Sequence, residues 1–357
     1  MDADALGRLA ELGQALIDGA RSRVLVPAQR ASTGFWFGGG NLLHDAEGFV
    51  LCGRYRNFGD SRTGVGSGER GLELAVFRSP DFSSPFTKTQ HWSKADLSTP
   101  EVPVVSIEGS SLYPGPSGME LYVSTEKLLG YPAALDAFQK PGTGVWSIDR
   151  LSGDQLEPVL ASDAGETLHV KDPDLFDAPS GQLAMIFCSH PFSWSSSNTG
   201  LALHAPGDAG FRVADWSMLE RGKAWDVACT RLTDRLPVPR LGVFGDTPPV
   251  SLYFYDGAEC LRALDENPAA ARRPRGYSCE ELGGLAWGWD DEFPRIQRLS
   301  VEFPAFISPH GTGCNRYVGT CVTETALYAT WQQSQPDLSQ ALVGHALSME
   351  QVEQILS

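Results

Sequence analysis

Residues 171–188 read KDPDLFDAPSGQLAMIFC. An acidic step, Asp172-Pro173-Asp174, leads into the apolar pair Leu175-Phe176. A turn rich in Asp, Pro, Ser and Gly follows, then the β-prone run Leu183 to Cys188. Two short runs of this kind around such a turn form a hairpin. The same arrangement occurs upstream as Asn41-Leu42-Leu43 before Gly48 to Cys52, and as Ser111-Leu112-Tyr113 before Met119 to Ser124. Downstream it reads Val243-Phe244-Gly245-Asp246 before Val250 to Tyr255, and more weakly Phe306-Ile307-Ser308 before Tyr317 to Thr320. Anchored on Leu43, Leu112, Phe176, Phe244 and Ile307, the spacings are 69, 64, 68 and 63 residues.

A unit of that length holds one four-stranded blade with generous loops. Radial repetition of blades is one way in which an all-β chain protects its sheet edges. The spacing therefore predicts an all-β, five-bladed β-propeller over residues 30–340. An amphipathic helix precedes it, with Leu6, Leu9, Leu12, Leu16 and Ile17 at helical spacing inside a 1–25 segment. A second short helix closes the chain over 347–357, with Ser348 as N-cap and Val352, Ile355 and Leu356 on its apolar face.

Composition narrows the partners. The chain has 357 residues, 42% hydrophobic and 20% charged, a profile that excludes disorder. Its 28 Lys+Arg against 44 Asp+Glu leave a net charge of −16, which repels nucleic acid and anionic membranes. No apolar run approaches the roughly 18 residues of a membrane span. The N-terminal stretch lacks the basic start of a signal peptide. Seven cysteines without any C-x-x-C spacing read as reduced thiols, and the expected location is cytoplasmic.

In a propeller, equivalent positions of neighbouring units meet at the axis. Glu108 lies four residues before Leu112, and Asp172 four before Phe176, so two carboxylates share one register. Gly39 holds that register in the first unit. Two acids in one cavity can divide the roles of proton donor and acceptor, the pairing that glycoside hydrolysis uses. The steps Lys171-Asp172-Pro173 and Glu108-Gly109, set in five units, resemble the sugar-active five-bladed propellers of glycoside hydrolase families 43, 32, 62, 68 and 130. That resemblance implies a catalytic pair, Glu108 as general acid and Asp172 as base or pKa-tuning partner, acting on a small imported oligosaccharide or glycoside. In families 43 and 32 the order is Asp, Asp, Glu over the first three blades. This chain has Asn41 near the first position, and Asp60 could supply an acid from the following loop. A lyase, isomerase, phosphorylase or binding-only propeller are the alternatives.

Further candidates surround that pair. Arg54 and Arg56 read either as a grip on a sugar hydroxyl or carboxylate, or as a solvated strand end. Trp194 would stack on a sugar face while His190 hydrogen-bonds to it. Glu259, Glu280 and His310 are further expected substrate contacts. Asp226 is expected to pair with Arg231. No cofactor is required by these residues. His169, His190 and His310, at strand ends, are weak candidates for a metal in the central channel, against a plainer reading as separate hydrogen-bonded histidines.

Overall fold

The computed structural model describes residues 1–57, 70–116, 118–192, 196–205, 207–208, 210–259 and 281–357. Its strands fall into five antiparallel blades. Blade I comprises β2 (Trp36–Gly38) with β3 (Leu42–Asp45), then β4 (Gly48–Asn57), β5 (Arg70–Ser79) and β6 (Thr87–Ser93). Blade II runs β7 (Val104–Gly115), β8 (Gly118–Lys127), β9 (Val145–Ser152) and β10 (Gln155–Leu160). Blade III is β11 (His169–Asp177), β12 (Leu183–His190), β13 (Asn198–His204) and β14 (Arg212–Leu219). Blade IV is β15 (Cys229–Pro237), β16 (Val250–Ala258), β17 (Leu282–Trp289) and β18 (Gln297–Arg298). Blade V is β19 (Asn315–Val322), β20 (Ala326–Ser334) and β21 (Gln340–Ser348), completed by β1 (Arg23–Val26) from the chain start.

Pairing β1 with β21 covers an edge that would otherwise stay open and fastens the start of the chain to its end. Blades V and I touch through a single parallel bridge, Trp36 to Gln340. The inner strands are also neighbours in order: blade I on β7, β7 on β11, β11 on β15, β15 on β19, and β19 back on β3. The ring is therefore closed, and the predicted five-bladed all-β fold is the one observed.

Each gap between blades has its own apolar core. Phe37, Phe49 and Phe77 of blade I meet Leu342 of blade V. Cys52 and Leu74 meet Ile107 and Val123 across the I–II gap. Tyr122 and Ile148 meet Met185 and Phe187 across II–III, and Ile186 and Leu201 meet Tyr253 and Tyr255 across III–IV. The fifth gap, between IV and V, also receives α1 (Ala3–Leu16) and α2 (Met349–Leu356). Leu9, Leu12, Leu16, Val352 and Leu356 are buried there against Leu285, Val343 and Leu347. Ser348 caps α2 in a reciprocal capping box with Gln351. The 1–25 segment is thus more than a helix, because β1 begins inside it and belongs to blade V.

The first three repeat anchors lie on inner strands, and the last two do not. Val243 and Phe244 form a 3-10 turn between β15 and β16. Ile307 precedes β19 and is partly exposed. The inner strand of blade IV is β15, where Leu236 opposes Leu252 as Leu112 opposes Leu121. In blade V the matching residue is Cys321, opposite Tyr328. Neither strand is apolar enough to stand out, because both carry charged and hydroxyl residues toward the axis.

Candidate functional site

Every inner strand gains one extra residue at the same height. Lys171 pairs with Cys188 and Asp174 with Ile186, while Ile107 pairs with Thr125 and Ser110 with Val123. In the same way Arg231 pairs with Asp256 and Asp234 with Phe254, and Arg316 with Gln332 and Gly319 with Thr330. In blade I, Gly38 pairs with Arg54 and Leu42 with Leu51. Such bulges re-aim side chains and recur beside functional sites. Here they aim Glu108, Asp172 and Tyr317 at the axis. Gly39, Asp172 and Tyr317 all have positive φ, at 73°, 54° and 55°. An Asp tolerates this conformation, whereas a Tyr held there is strained.

At Gly39 a Cβ would stand 1.7 Å from Arg54 Nη1. Glycine is required because Arg54 fills the space in front of it. Arg54 donates to Gly38 O at 3.0 Å, to Tyr317 Oη at 3.0 Å and to Glu108 Oε2 at 3.4 Å. Arg56 donates to the same Glu108 oxygen at 3.2 Å and lies over Trp36. Both arginines are buried, so neither is a solvated strand end.

Asp172 accepts from Gly109 N at 2.8 Å, from Arg231 Nη1 at 3.1 Å and from Tyr317 Oη at 3.3 Å. Arg231 turns its other edge to Asp256 Oδ2, at 3.0 and 2.7 Å, and reaches Glu281 Oε2 at 3.0 Å. Arg316 pairs with Glu281 and Gln340. The Tyr317 ring lies beneath three guanidinium groups, Arg231 at 3.9 Å, Arg54 at 5.0 Å and Arg316 at 5.3 Å. A continuous network of alternating charge therefore runs from Glu108 through Arg54, Tyr317, Asp172 and Arg231 to Asp256, Glu281 and Arg316. Gly39, Gly109, Asp172, Arg231 and Tyr317 line a small cavity on the axis.

Burial pushes the Glu108 carboxyl up, but Arg56, Arg54 and Lys171 outweigh it and bring it down to about 2. Burial likewise opposes ionisation of Asp172, yet Lys171, Arg231 and Arg54 hold it well below the usual carboxylate range. Both expected catalytic acids are thus ionised, which runs against Glu108 as a proton donor. Asp256 differs. Burial raises it, Arg231 lowers it, Glu281 raises it again, and it reaches about 7. Glu281 is held low because Arg231 and Arg316 outweigh its burial. The Asp256–Glu281 pair therefore keeps one proton toward neutral pH, as two carboxylates sharing one cation do.

Because the Asp256 pKa is raised from 3.8 to about 7 on folding, the native state binds more protons across that window. The contribution of Asp256 to stability is full below pH 3.8 and is lost as pH rises through 7. Asp256→Asn, which resembles the protonated form, should flatten this fall between pH 4.5 and 7.5 in urea unfolding. An unchanged slope would contradict the assignment.

The remaining candidates separate clearly. His190 is buried, with Nε2 3.2 Å from Cys188 Sγ and Nδ1 3.0 Å from Ser196 O. Asn41 donates to Leu112 O and accepts from Leu112 N, both at 2.8 Å, and accepts from Cys52 Sγ. It joins blades I and II instead of contacting a ligand. Asn41→Ala would leave buried backbone groups without partners, and should cost about 1–3 kcal/mol in denaturant unfolding.

Glu259 is exposed at the end of β16, and His310 is exposed on the turn before β19. Asp60, Trp194 and Glu280 lie outside the described residues. Asp226 accepts from Arg298 Nε at 2.9 Å and is not the partner of Arg231. His169 sits opposite His190 with Nε2 3.3 Å from Tyr131 Oη. Among the described residues no three His, Cys, Asp or Glu side chains converge as metal ligands would, so the three-histidine cluster does not form. No helix among them is long and apolar enough to cross a membrane.

Lys171, Arg231, Asp256, Glu281, Arg316 and Tyr317 were not among the expected site residues. Arg231 would have been found with Leu236 as anchor, because it then shares a register with Lys171. Tyr317 would have followed from Cys321, since it lies four residues before it, as Asp172 does before Phe176.

No family model matches this chain, and no curated protein matches it. Solved structures do. The chain superposes on a glycoside hydrolase with a TM-score of 0.57 at 11% identity, covering 95% of this chain and 94% of that one. It superposes on BT0996 in complex with RGII at 0.55 and 12%, covering 96% and 95%. It also superposes on the β-1,2-mannobiose phosphorylase from Listeria innocua at 0.52 and 11%, covering 93% and 96%. The chain shares the propeller fold of these carbohydrate-active proteins over nearly its whole length.

Proposed function

We propose that this chain is a carbohydrate-active enzyme that cleaves a glycosidic bond of a small glycoside at the propeller axis. Asp172 is the ionised carboxylate that acts on water or on the anomeric carbon. The Asp256–Glu281 pair, linked to Asp172 through Arg231, is the proton source. Glu108 stays charged and holds Arg54 and Arg56 in place. The observation that carries this reading is the electrostatic division at Arg231. On one side sits a carboxylate held ionised, and on the other a carboxyl pair holding a proton near neutral pH. Glycoside cleavage needs such a division. The shared fold with a glycoside hydrolase and a disaccharide phosphorylase supports the same substrate class.

A binding-only propeller is the second reading, favoured by the clamping of Glu108 between two arginines. A panel of 4-nitrophenyl glycosides of neutral and acidic sugars, run with and without inorganic phosphate, separates the readings. Release of nitrophenol supports the enzyme, and phosphate dependence marks phosphorolysis. Binding without release across the panel supports the second reading.

A further inference from the structure

Lys171 stands apart from the other cations of the axis. Its side chain is 11% exposed, and its Nζ lies 4.3 Å from the Trp146 ring centroid. The nearest carboxylate oxygen, Asp172 Oδ2, is 3.7 Å away, beyond hydrogen-bond distance. Among the described residues no acceptor bonds to this ammonium, although it carries three donors. The arginines differ. Arg231 is hydrogen-bonded to Asp172 and Asp256 and paired with Glu281. Arg316 is bonded to Glu281 and Gln340. Arg54 is bonded to Gly38, Glu108 and Tyr317. A nearly buried ammonium without an acceptor is costly, and an arriving acceptor removes that cost.

The surrounding charge selects the kind of acceptor. The whole chain carries −16. Around the axis, however, Arg54, Arg56, Lys171, Arg231 and Arg316 face Glu108, Asp172, Asp256 and Glu281, five cations against four carboxylates. The proton kept by the Asp256–Glu281 pair widens that excess. A cleft with such a local balance draws in anions and discriminates against neutral ligands of the same shape. An ammonium bonded to an anion also forms a stronger hydrogen bond than one bonded to a hydroxyl.

We infer that the sugar taken by this channel bears a negatively charged group, a carboxylate or a phosphate, and that Lys171 is the side chain that binds it. This rests on the sugar-active reading above. Both anions offer the same chemistry to an ammonium, and the test distinguishes them.

The test measures binding to the full chain by calorimetry, using ligand pairs that differ in charge. The pairs are 4-nitrophenyl β-D-glucuronide with the β-D-glucoside, 4-nitrophenyl β-D-galacturonide with the β-D-galactoside, and glucose 6-phosphate with glucose. In at least one pair the charged member should bind about tenfold tighter. The uronides favour a carboxylate, and the sugar phosphate favours a phosphate. The advantage should shrink as sodium chloride rises from about 50 to 500 mM. It should disappear in Lys171→Met and persist in Lys171→Arg. Neutral members binding as tightly as charged ones would overturn this inference and leave the sugar-active reading standing. An advantage retained by Lys171→Met would overturn the role of Lys171. Binding of neither member in every pair would overturn both readings. If Lys171→Met fails to fold, the wild-type pairs and their salt dependence still decide.

Discussion

Asp172→Asn should lower kcat on any glycoside that the wild-type chain cleaves by about 10²–10⁴-fold, the range for removing a positioned acid–base group. Asparagine is the right replacement for physical reasons. Position 172 has φ of 54°, and Asn is among the few residues that accept this region. Its amide oxygen can still accept from Gly109 N. The change therefore removes the charge next to Arg231 and Lys171 while the backbone stays in place. KM should move less than kcat, because the loss falls on the reacting step. Matching near-UV circular dichroism would show an intact fold. An Asp172→Asn variant with wild-type kcat would remove this carboxylate from the mechanism.

Arg231→Met should be the most destabilising single change in the axial network. Arg231 is 2% exposed and touches Asp172, Asp256 and Glu281. Removing it leaves three carboxylates around an apolar side chain. Breaking buried pairs in this way costs about 3–5 kcal/mol. With an unfolding entropy of about 2.1 cal/mol/K per residue, that corresponds to a Tm lowered by roughly 4–7 °C. The loss should be smaller at pH 5 than at pH 8, because the stranded carboxyls can then take up protons. A Tm within 1 °C of wild type would show that the network does not depend on Arg231.

Both predictions concern residues that were unequally visible in the chain. Asp172 could be found because Phe176 and the run to Cys188 form an unmistakable hairpin, which sets its register against Glu108 and Gly39. Arg231 and Tyr317 were hidden for the opposite reason. Their strands, β15 and β19, put Arg, Thr and Asp on the channel face and lack a continuous apolar run. The eye then moves to Phe244 and Ile307, which are apolar and well spaced but lie on connections. Asp256 and Glu281 resemble ordinary turn acids at strand ends, and only their partner Arg231 distinguishes them. Asn41 shows the reverse error. It stands two residues from the site register, yet its amide is used up in holding Leu112 of the next blade.

The order of residues by itself determined the five-fold repetition, the two terminal helices and the shared register of Gly39, Glu108 and Asp172. These follow from hydrophobic spacing and turn chemistry, which act over a few residues and are written locally. Which charges are paired was decided only in three dimensions. Glu108 meets Arg54 and Arg56 from another blade, Asp172 meets Arg231 from a third, and Arg231 meets Glu281 beyond the end of its own strand. Protonation at the axis depends on burial and on distances of 3–4 Å between segments far apart in the chain, and no local pattern encodes those distances.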